Sequence, residues 1–238
     1  MDKKIIDEVN SVVKASPRAV ERYFIKRLRE ADNLGFGWKV RGSAVGGGYI
    51  SIKAKFYYRN DTLVSYSVFP ELPDESKLKN TYANWYAPAF IVDSIEIKPF
   101  RYNDALLSTP LATYHEPYSS TSMTKAIAAY MSPESGLEYG TYGGYSSSML
   151  QNRKNFTNLQ DSLSSGQVLL MMHAVNPASR LTAIEYYLKN KKLFTNQPHI
   201  EQWIETVFRE LPEVKSLQGC MGGMYNARML VSWYSSIE

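Results

Sequence analysis

Apolar side chains recur every three or four residues at the start of the chain, and this spacing predicts two helices. Over residues 3–15 the apolar positions fall on one side of a helix. Ser16 and Pro17 then combine an N-cap with a proline at the first helical position. The second helix is predicted to end near Asn33-Leu34-Gly35, which offers a stop signal. The predicted inner faces are Ile5, Ile6, Val9, Val12 and Val13 in the first helix and Val20, Tyr23, Phe24, Leu28 and Ala31 in the second.

Beyond Trp38 the apolar spacing changes from helical to alternating, which predicts strands. Residues 50–58 alternate between apolar and polar side chains, as a strand with one wet face does. Arg59-Asn60-Asp61-Thr62 supplies turn residues, so residues 49–69 are predicted to form an antiparallel hairpin. Gly46-Gly47-Gly48 is predicted to be the preceding turn. We also predict a helix between Asp74 and Tyr86 and a strand at 90–98 with Ile91, Ile95 and Ile97 on one face.

Helical spacing returns after about residue 105. Helices are predicted at 122–131, at roughly 147–164, at 178–192 and at 199–211. The chain therefore begins with two N-terminal helices, continues with a small antiparallel sheet and ends in a mostly helical C-terminal half, which predicts the α+β class. We expect a single compact domain over 1–238, with a possible subdivision near 105–120, where serines and prolines cluster.

Composition and charge narrow the class of protein. Hydrophobic residues make up 44% of the 238 residues, which is enough for a large core. The net charge of +4 permits attraction to phosphates without requiring it. A single cysteine excludes an internal disulfide. Because charged residues precede any apolar stretch of signal-peptide length, we expect a soluble protein, cytoplasmic by default and exported if the chain is a processed form.

One pair of residues suggests a catalytic site. The apolar run 168–172, interpreted as a strand, ends on His173, and Cys220 follows 47 residues later within Gln218-Gly219-Cys220-Met221-Gly222. This arrangement resembles the caspase-type cysteine peptidases, whose signature is Q-A-C-[RQG]-G with the histidine about 50 residues upstream. Gln218, Cys220 and Gly222 match, whereas Gly219 and Met221 depart from the pattern. The resemblance implies a cysteine hydrolase, and the alternative is a buried structural cysteine beside a histidine at the edge of the core.

A second candidate site is a segment rich in tyrosine, glycine and serine at 136–148. Tyr139, Tyr142 and Tyr145 are spaced three apart among glycines and hydroxyl side chains. Tyrosine offers a flat apolar face with a polar tip, which suits ligands of mixed polarity such as sugars or peptides. The alternative is an ordinary connection whose tyrosines pack on the core. We take the segment as the first candidate for a ligand-binding site.

A third candidate is a basic face on the second helix. Its cations recur at helical spacing, so they would form a stripe that can contact phosphates or an acidic partner. The alternative is a solvated helix face, which we favour because Glu21 and Glu30 lie nearby. The stripe consists of Arg18, Arg22, Lys26 and Arg29.

Metal and cofactor chemistry have no support in the sequence. His115-Glu116 and His199-Ile200-Glu201 lack metal-ligand spacing, and the glycines at 46–48 form no phosphate-binding motif. We therefore expect no metal, no cofactor and no catalysis. The predicted function is binding of an unknown partner, which could be a small molecule, sugar, peptide or protein. The alternatives are the hydrolase built on Cys220 and His173 and binding of a polyanion or nucleic acid through the basic helix face, with nucleic acid not expected.

Overall fold

A computed structural model describes residues 1–25, 28–93, 96–111 and 123–236. The chain divides into two compact units. The first comprises Met1–Asn33 and Gly37–Leu106, and the second comprises Leu34–Phe36 and Leu107–Glu238. The described residues combine nine α-helices with a small antiparallel sheet, so the α+β prediction is confirmed.

The first unit packs three helices on a sheet whose order is β1-β2-β3-β4-β7. The pairs β2–β3, β3–β4 and β4–β7 are antiparallel. Its core combines the inner faces of the first two helices with Ile52, Phe56 and Val68 of the sheet. The elements are α1 (Asp2–Ala15), α2 (Pro17–Phe24), β1 (Asp32–Gly35), β2 (Trp38–Gly47), β3 (Ile50–Arg59), β4 (Thr62–Pro70), α3 (Ser76–Tyr86), β5 (Val92–Asp93), β6 (Glu96–Ile97) and β7 (Phe100–Tyr102). The last two residues of β1 are assigned to the second unit.

The hairpin β3–β4 and helix α3 confirm the sequence predictions, and three details differ. Helix α2 ends at Phe24 instead of continuing to Ala31. Residues 90–98 do not form one strand: β5 and β6 pair with each other, and Ile91 is 68% exposed. Ile95 lies outside the described residues. The predicted alternation over 50–58 breaks at Tyr57, which is buried like the preceding Phe56, because the register of β3 against β4 shifts between Tyr57 and Tyr58.

Helix α7 lies at the centre of the second unit, and nearly all of its side chains are buried. A helix that is hydrophobic or buried all round lies in the middle of a core. Within the described ranges its elements are α4 (Lys125–Met131), β8 (Tyr142–Gly143), β9 (Ser148–Met149), α5 (Gln151–Thr157), α6 (Ser165–Met171), α7 (Pro177–Lys189), α8 (Gln197–Glu210), β10 (Glu213–Gln218), β11 (Met221–Asn226) and α9 (Ala227–Ser236).

Two parts of the second unit correct the sequence analysis. The apolar run 168–172 belongs to helix α6 and the residue after it, not to a strand. Ser164 and Gln167 form a capping box that fixes the start of this helix. Residues 213–226 form the antiparallel hairpin β10–β11, which was not predicted. In the described part of the chain, no helix is long and apolar enough to cross a membrane.

Candidate functional site

Two hairpins of the second unit lie next to each other, and the first of them contains part of the 136–148 segment. The first is β8–β9, in which Tyr142 pairs with Met149 and Gly143 with Ser148. The second is β10–β11, whose two-residue turn is Gly219-Cys220. Gly219 has a φ of 56°, which suits the glycine that a tight hairpin turn requires at its first central position. These turns bring two separate stretches of sequence to one surface.

Backbone contacts fix the two hairpins side by side. Tyr139 N donates to Lys215 O at 2.9 Å, and Gly144 N donates to Gly219 O at 2.7 Å. Gly143 allows this close approach. A Cβ at Gly143 would lie 2.6 Å from Leu217 Cγ and 2.9 Å from Leu217 O, distances that real Cβ atoms do not show. The relative position of the hairpins therefore depends on glycine at 143.

Beneath the hairpins lies a buried polar cluster of Tyr139, Arg153 and Glu185. The Tyr139 hydroxyl donates to Glu185 Oε2 at 3.0 Å, and both terminal nitrogens of Arg153 donate to the same carboxylate. Arg153 Nε also donates to Gly140 O at 3.2 Å. This ion pair is almost fully buried and its hydrogen bonds are bidentate. It ties the start of the β8–β9 hairpin to helices α5 and α7.

The pKa values of the cluster reflect this burial. Burial, followed by the nearby charge of Glu185, raises the pKa of Tyr139 well above its usual value. Burial alone would lower the pKa of Arg153, but the hydrogen bonds and charge of Glu185 outweigh it and raise that pKa. At neutral pH the tyrosine is therefore protonated and the arginine charged. These hydrogen bonds and charges give the cluster a structural role.

The three predicted tyrosines divide into one buried and two exposed residues. Tyr139 is 1% exposed and packs edge-on against Tyr234 at 5.5 Å, so it is a core residue and not an accessible ligand contact. Tyr142 is 53% exposed and Tyr145 is fully exposed. The segment is thus anchored in the core at its start, by Tyr139, and exposed to solvent around Tyr142 and Tyr145. This combination was not predicted, because spacing alone does not tell which ring turns inward.

The neighbouring hairpin adds apolar groups to the same surface. Met221 is 70% exposed, and Cys220 beside it is also exposed. We call Tyr142, Tyr145, Cys220 and Met221 the hairpin surface. Single exposed apolar side chains are common on protein surfaces, but groups of neighbouring ones are rare. Methionine and tyrosine are both frequent at surfaces that bind other proteins.

His173 and Cys220 have opposite environments. His173 is 8% exposed and stacks on Trp203, with ring centroids 4.1 Å apart. Burial, then the charges of Arg180 and His199, lowers the pKa of His173 to about 3. An imidazole with this pKa is neutral at physiological pH and a poor base. Cys220 is exposed at a hairpin turn, which also corrects the alternative expectation of a buried cysteine.

His173 belongs instead to a stack of planar groups in the second unit. Phe36 lies on Trp203 with centroids 5.3 Å apart, and Arg180 Cζ is 4.8 Å from the centre of the Phe36 ring. Arg180 is fully buried and donates to the carbonyls of Leu34, Ala174 and Val175. Its charge next to His173 opposes protonation of the imidazole. Packing therefore explains the position of His173 without a catalytic role.

The predicted basic stripe is not one helix face. Arg18 and Arg22 are exposed on α2, but α2 ends at Phe24 and Arg29 lies beyond it. Arg29 N donates to Gly42 O, which attaches this residue to strand β2. Lys26 lies outside the described residues, as does His115-Glu116. Among the residues that the structure describes, no cluster of three or more metal-ligating side chains occurs.

Comparisons with protein-family models, curated proteins and solved structures found no match for this chain.

Proposed function

We propose that this protein is a non-catalytic binding protein and that it recognises a peptide or protein partner through the hairpin surface. The observation that carries the proposal is the full exposure of Tyr145 on a hairpin whose Gly144 is hydrogen-bonded to Gly219 of the hairpin that carries the exposed Met221. A fully exposed aromatic ring gains burial only when another molecule covers it. The contact area is set on two hairpins whose positions are fixed by the contacts of Gly143 and Tyr139.

The form of the surface favours a macromolecular partner over a small ligand. Sites for small molecules are concave and bury most of the ligand. Tyr145 instead extends into solvent, and a Cβ at the neighbouring Gly144 or at Gly219 would have no atom within 4 Å. A cleft of about 310 Å³ in the same unit is lined by Glu205, Phe208, Arg209, Pro212, Asn226 and Arg228, and so includes no residue of the hairpin surface.

The chemistry of the surface supports recognition and not catalysis. Tyrosine, serine and glycine dominate residues 139–148, as they dominate antibody loops, where rigid tyrosines supply contact area and small residues adapt. The imidazole at 173 is buried and neutral, so it offers no active base for the exposed Cys220.

A peptide library displayed on phage tests the proposal. We expect peptides selected on the wild-type protein to lose binding to Tyr142→Ala/Tyr145→Ala. Tyr49→Ala is the matched control, because Tyr49 is also an exposed tyrosine, at 64%, but lies in the first unit. Enriched peptides that keep their binding to the double variant, or the lack of any enrichment, would overturn the proposal.

A further inference from the structure

The outer edge of β11 has backbone groups that point away from its partner strand β10. Lys215 O accepts a hydrogen bond from Tyr139 N, so this carbonyl of β10 points away from β11. Lys215 is paired with Met224. In an antiparallel ladder, residues alternate between pairs that exchange hydrogen bonds and pairs that do not. The Lys215–Met224 pair is therefore one without exchange, and the N–H and C=O of Met224 point outward.

By the same alternation, the backbone groups of Gly222 point in the same direction as those of Met224. Gly222 is paired with Leu217, two positions along the ladder, so its N–H and C=O also point outward. β10 is the only strand that pairs with β11 within the described residues. Gly222 is exposed and the Met224 side chain is 49% exposed. Four backbone groups are thus available to another strand.

This edge lacks the features that usually prevent pairing between proteins. Exposed edge strands are commonly protected by lysine, by proline or by a strong bulge. β11 reads Met-Gly-Gly-Met-Tyr-Asn and contains no charged residue and no proline, and its pairing with β10 is regular from end to end. Its two adjacent glycines leave the backbone open to close approach by another chain. An extended, uncharged strand is the occupant that this edge fits.

We propose that the occupant is β11 of a second copy of this chain, paired antiparallel about a two-fold axis at Gly223. In this register Gly222 exchanges hydrogen bonds with Met224 of the second copy, and Met224 exchanges them with Gly222. All four outward backbone groups are then satisfied. A continuous sheet forms in the order β10, β11, β11 of the second copy and β10 of the second copy. The inference deepens the proposed function, on which it rests, by naming one partner of the β10–β11 hairpin.

The side chains of β11 are self-complementary in this register. Met224 lies opposite Gly222 of the second copy, so a long side chain covers a residue that has none. On the other face Met221 lies opposite Tyr225 of the second copy, a sulfur–aromatic pairing. At the axis Gly223 faces Gly223 at the closest spacing of an antiparallel ladder, where side chains would crowd. The pairings of Met224 with Gly222 and of Met221 with Tyr225 each occur twice because of the two-fold symmetry.

Association through this edge should be weak. One pair of short strands buries less than the roughly 1,200 Å² of a stable standard interface, so we expect a reversible dimer that forms only at high concentration. Sedimentation velocity of the wild-type protein should show the molar mass rising from 27.1 kDa toward twice that value with increasing concentration. A monomer at every concentration up to the millimolar range would overturn the inference.

Two substitutions at the edge and one control locate the interface. Gly222→Pro removes an N–H that points outward and is not bonded to β10. Met224→Lys places a charge on the edge of the sheet. Both should abolish dimerisation. Met229→Lys introduces the same charge at a methionine that is 71% exposed on α9, and it should dimerise as the wild type does. Dimers of unchanged strength in both edge variants would contradict the proposed edge pairing.

The only cysteine of the chain reports the register directly. Nitroxide labels on the exposed Cys220 of both copies should give a single distance of about 20 to 30 Å by double electron–electron resonance, since six residues of extended chain separate the two positions along the strands. A distance well beyond this range in the dimer would exclude the register. The peptide selection depends on Tyr142 and Tyr145, which lie outside β11, so a failure of the dimer leaves that test of the proposed function intact.

Discussion

The hydroxyl of Tyr139 donates a hydrogen bond of 3.0 Å to the buried carboxylate of Glu185. This bond joins the start of an exposed hairpin to helix α7 at the centre of the second unit. The exposed side chains at the tip of this hairpin are thereby held in position by the packing at its start. A surface arranged in this way loses little conformational entropy when it binds, which supports affinity without new contacts.

We predict that Tyr139→Phe lowers the free energy of unfolding by about 1 to 2 kcal/mol, because Glu185 loses a buried donor. Tyr145→Phe is the matched control and should change that free energy by less than about 0.5 kcal/mol, since Tyr145 is fully exposed. Urea denaturation measures both. Equal effects of the two substitutions would show that the Tyr139–Glu185 bond does not hold the hairpin.

Gly143→Ala should cost about 1 to 3 kcal/mol of unfolding free energy. The added methyl group would overlap the side chain and carbonyl of Leu217, so the two hairpins would have to move apart. Gly222→Ala is the control, because a Cβ at Gly222 meets Leu217 Cδ1 at 3.4 Å, an ordinary contact. Chemical denaturation of both variants decides the point, and a Gly143→Ala protein as stable as Gly222→Ala would refute the close approach.

His173 should make the protein less stable in acid. Its pKa is about 3 in the folded state and close to the ordinary histidine value of 6.5 in the unfolded chain, so the unfolded state binds more protons between these two pH values. The free energy of unfolding should therefore fall as the pH is lowered from about 6.5 to 3. His173→Phe removes this contribution, so denaturation curves at pH 7, 5 and 4 should show a shallower loss than in the wild type. An identical pH dependence would mean that the imidazole is accessible to protons.

Asp2 should stabilise the first unit through two hydrogen bonds, one of which is buried. Its carboxylate accepts from Tyr49 N at 2.9 Å and from the Tyr82 hydroxyl at 2.8 Å. The hydrogen bond from Tyr49 chiefly lowers the pKa of Asp2, against an opposing effect of burial. The stability that Asp2 contributes is thus present above its unfolded pKa and is lost as the pH falls through its lower folded pKa.

Asp2→Ala should cost about 1 to 3 kcal/mol of unfolding free energy at neutral pH. Asp7→Ala on the same helix removes an exposed carboxylate paired with Lys3 and should cost less than about 1 kcal/mol. Thermal or urea unfolding compares the two variants. A loss for Asp7→Ala as large as that for Asp2→Ala would contradict the role assigned to burial.

The sequence predicts the elements whose periodicity is long and clearly bounded. The β3–β4 hairpin followed from strict alternation, and α7 and α8 followed from helical spacing with nearby breakers. Short apolar runs are ambiguous, since a buried strand and a buried helix look alike over five residues. The run 168–172 was assigned to the wrong class for this reason. Ser164 and Gln167 carry the capping-box signal that would have identified a helix.

The candidate site was only partly predictable. The 136–148 segment stood out by composition, but the burial of Tyr139 depends on Glu185, which is 46 residues away in the chain. We interpreted Gln218–Gly222 as a catalytic motif. A glycine followed by one other residue, with a strand on each side, is also a signal for a tight two-residue hairpin turn. The grouping of Leu34–Phe36 with residues of the second half rests on contacts that no local pattern contains.

Calorimetric titration of a selected peptide into the wild-type and variant proteins tests the central claim most directly. If the hairpin surface is the binding site, Tyr142→Ala/Tyr145→Ala should weaken the affinity at least about tenfold, which is about 1.4 kcal/mol and within the range of interface aromatics. Tyr49→Ala should bind as the wild type does. An unchanged Kd for the double tyrosine variant, with its fold intact by circular dichroism, would contradict the account.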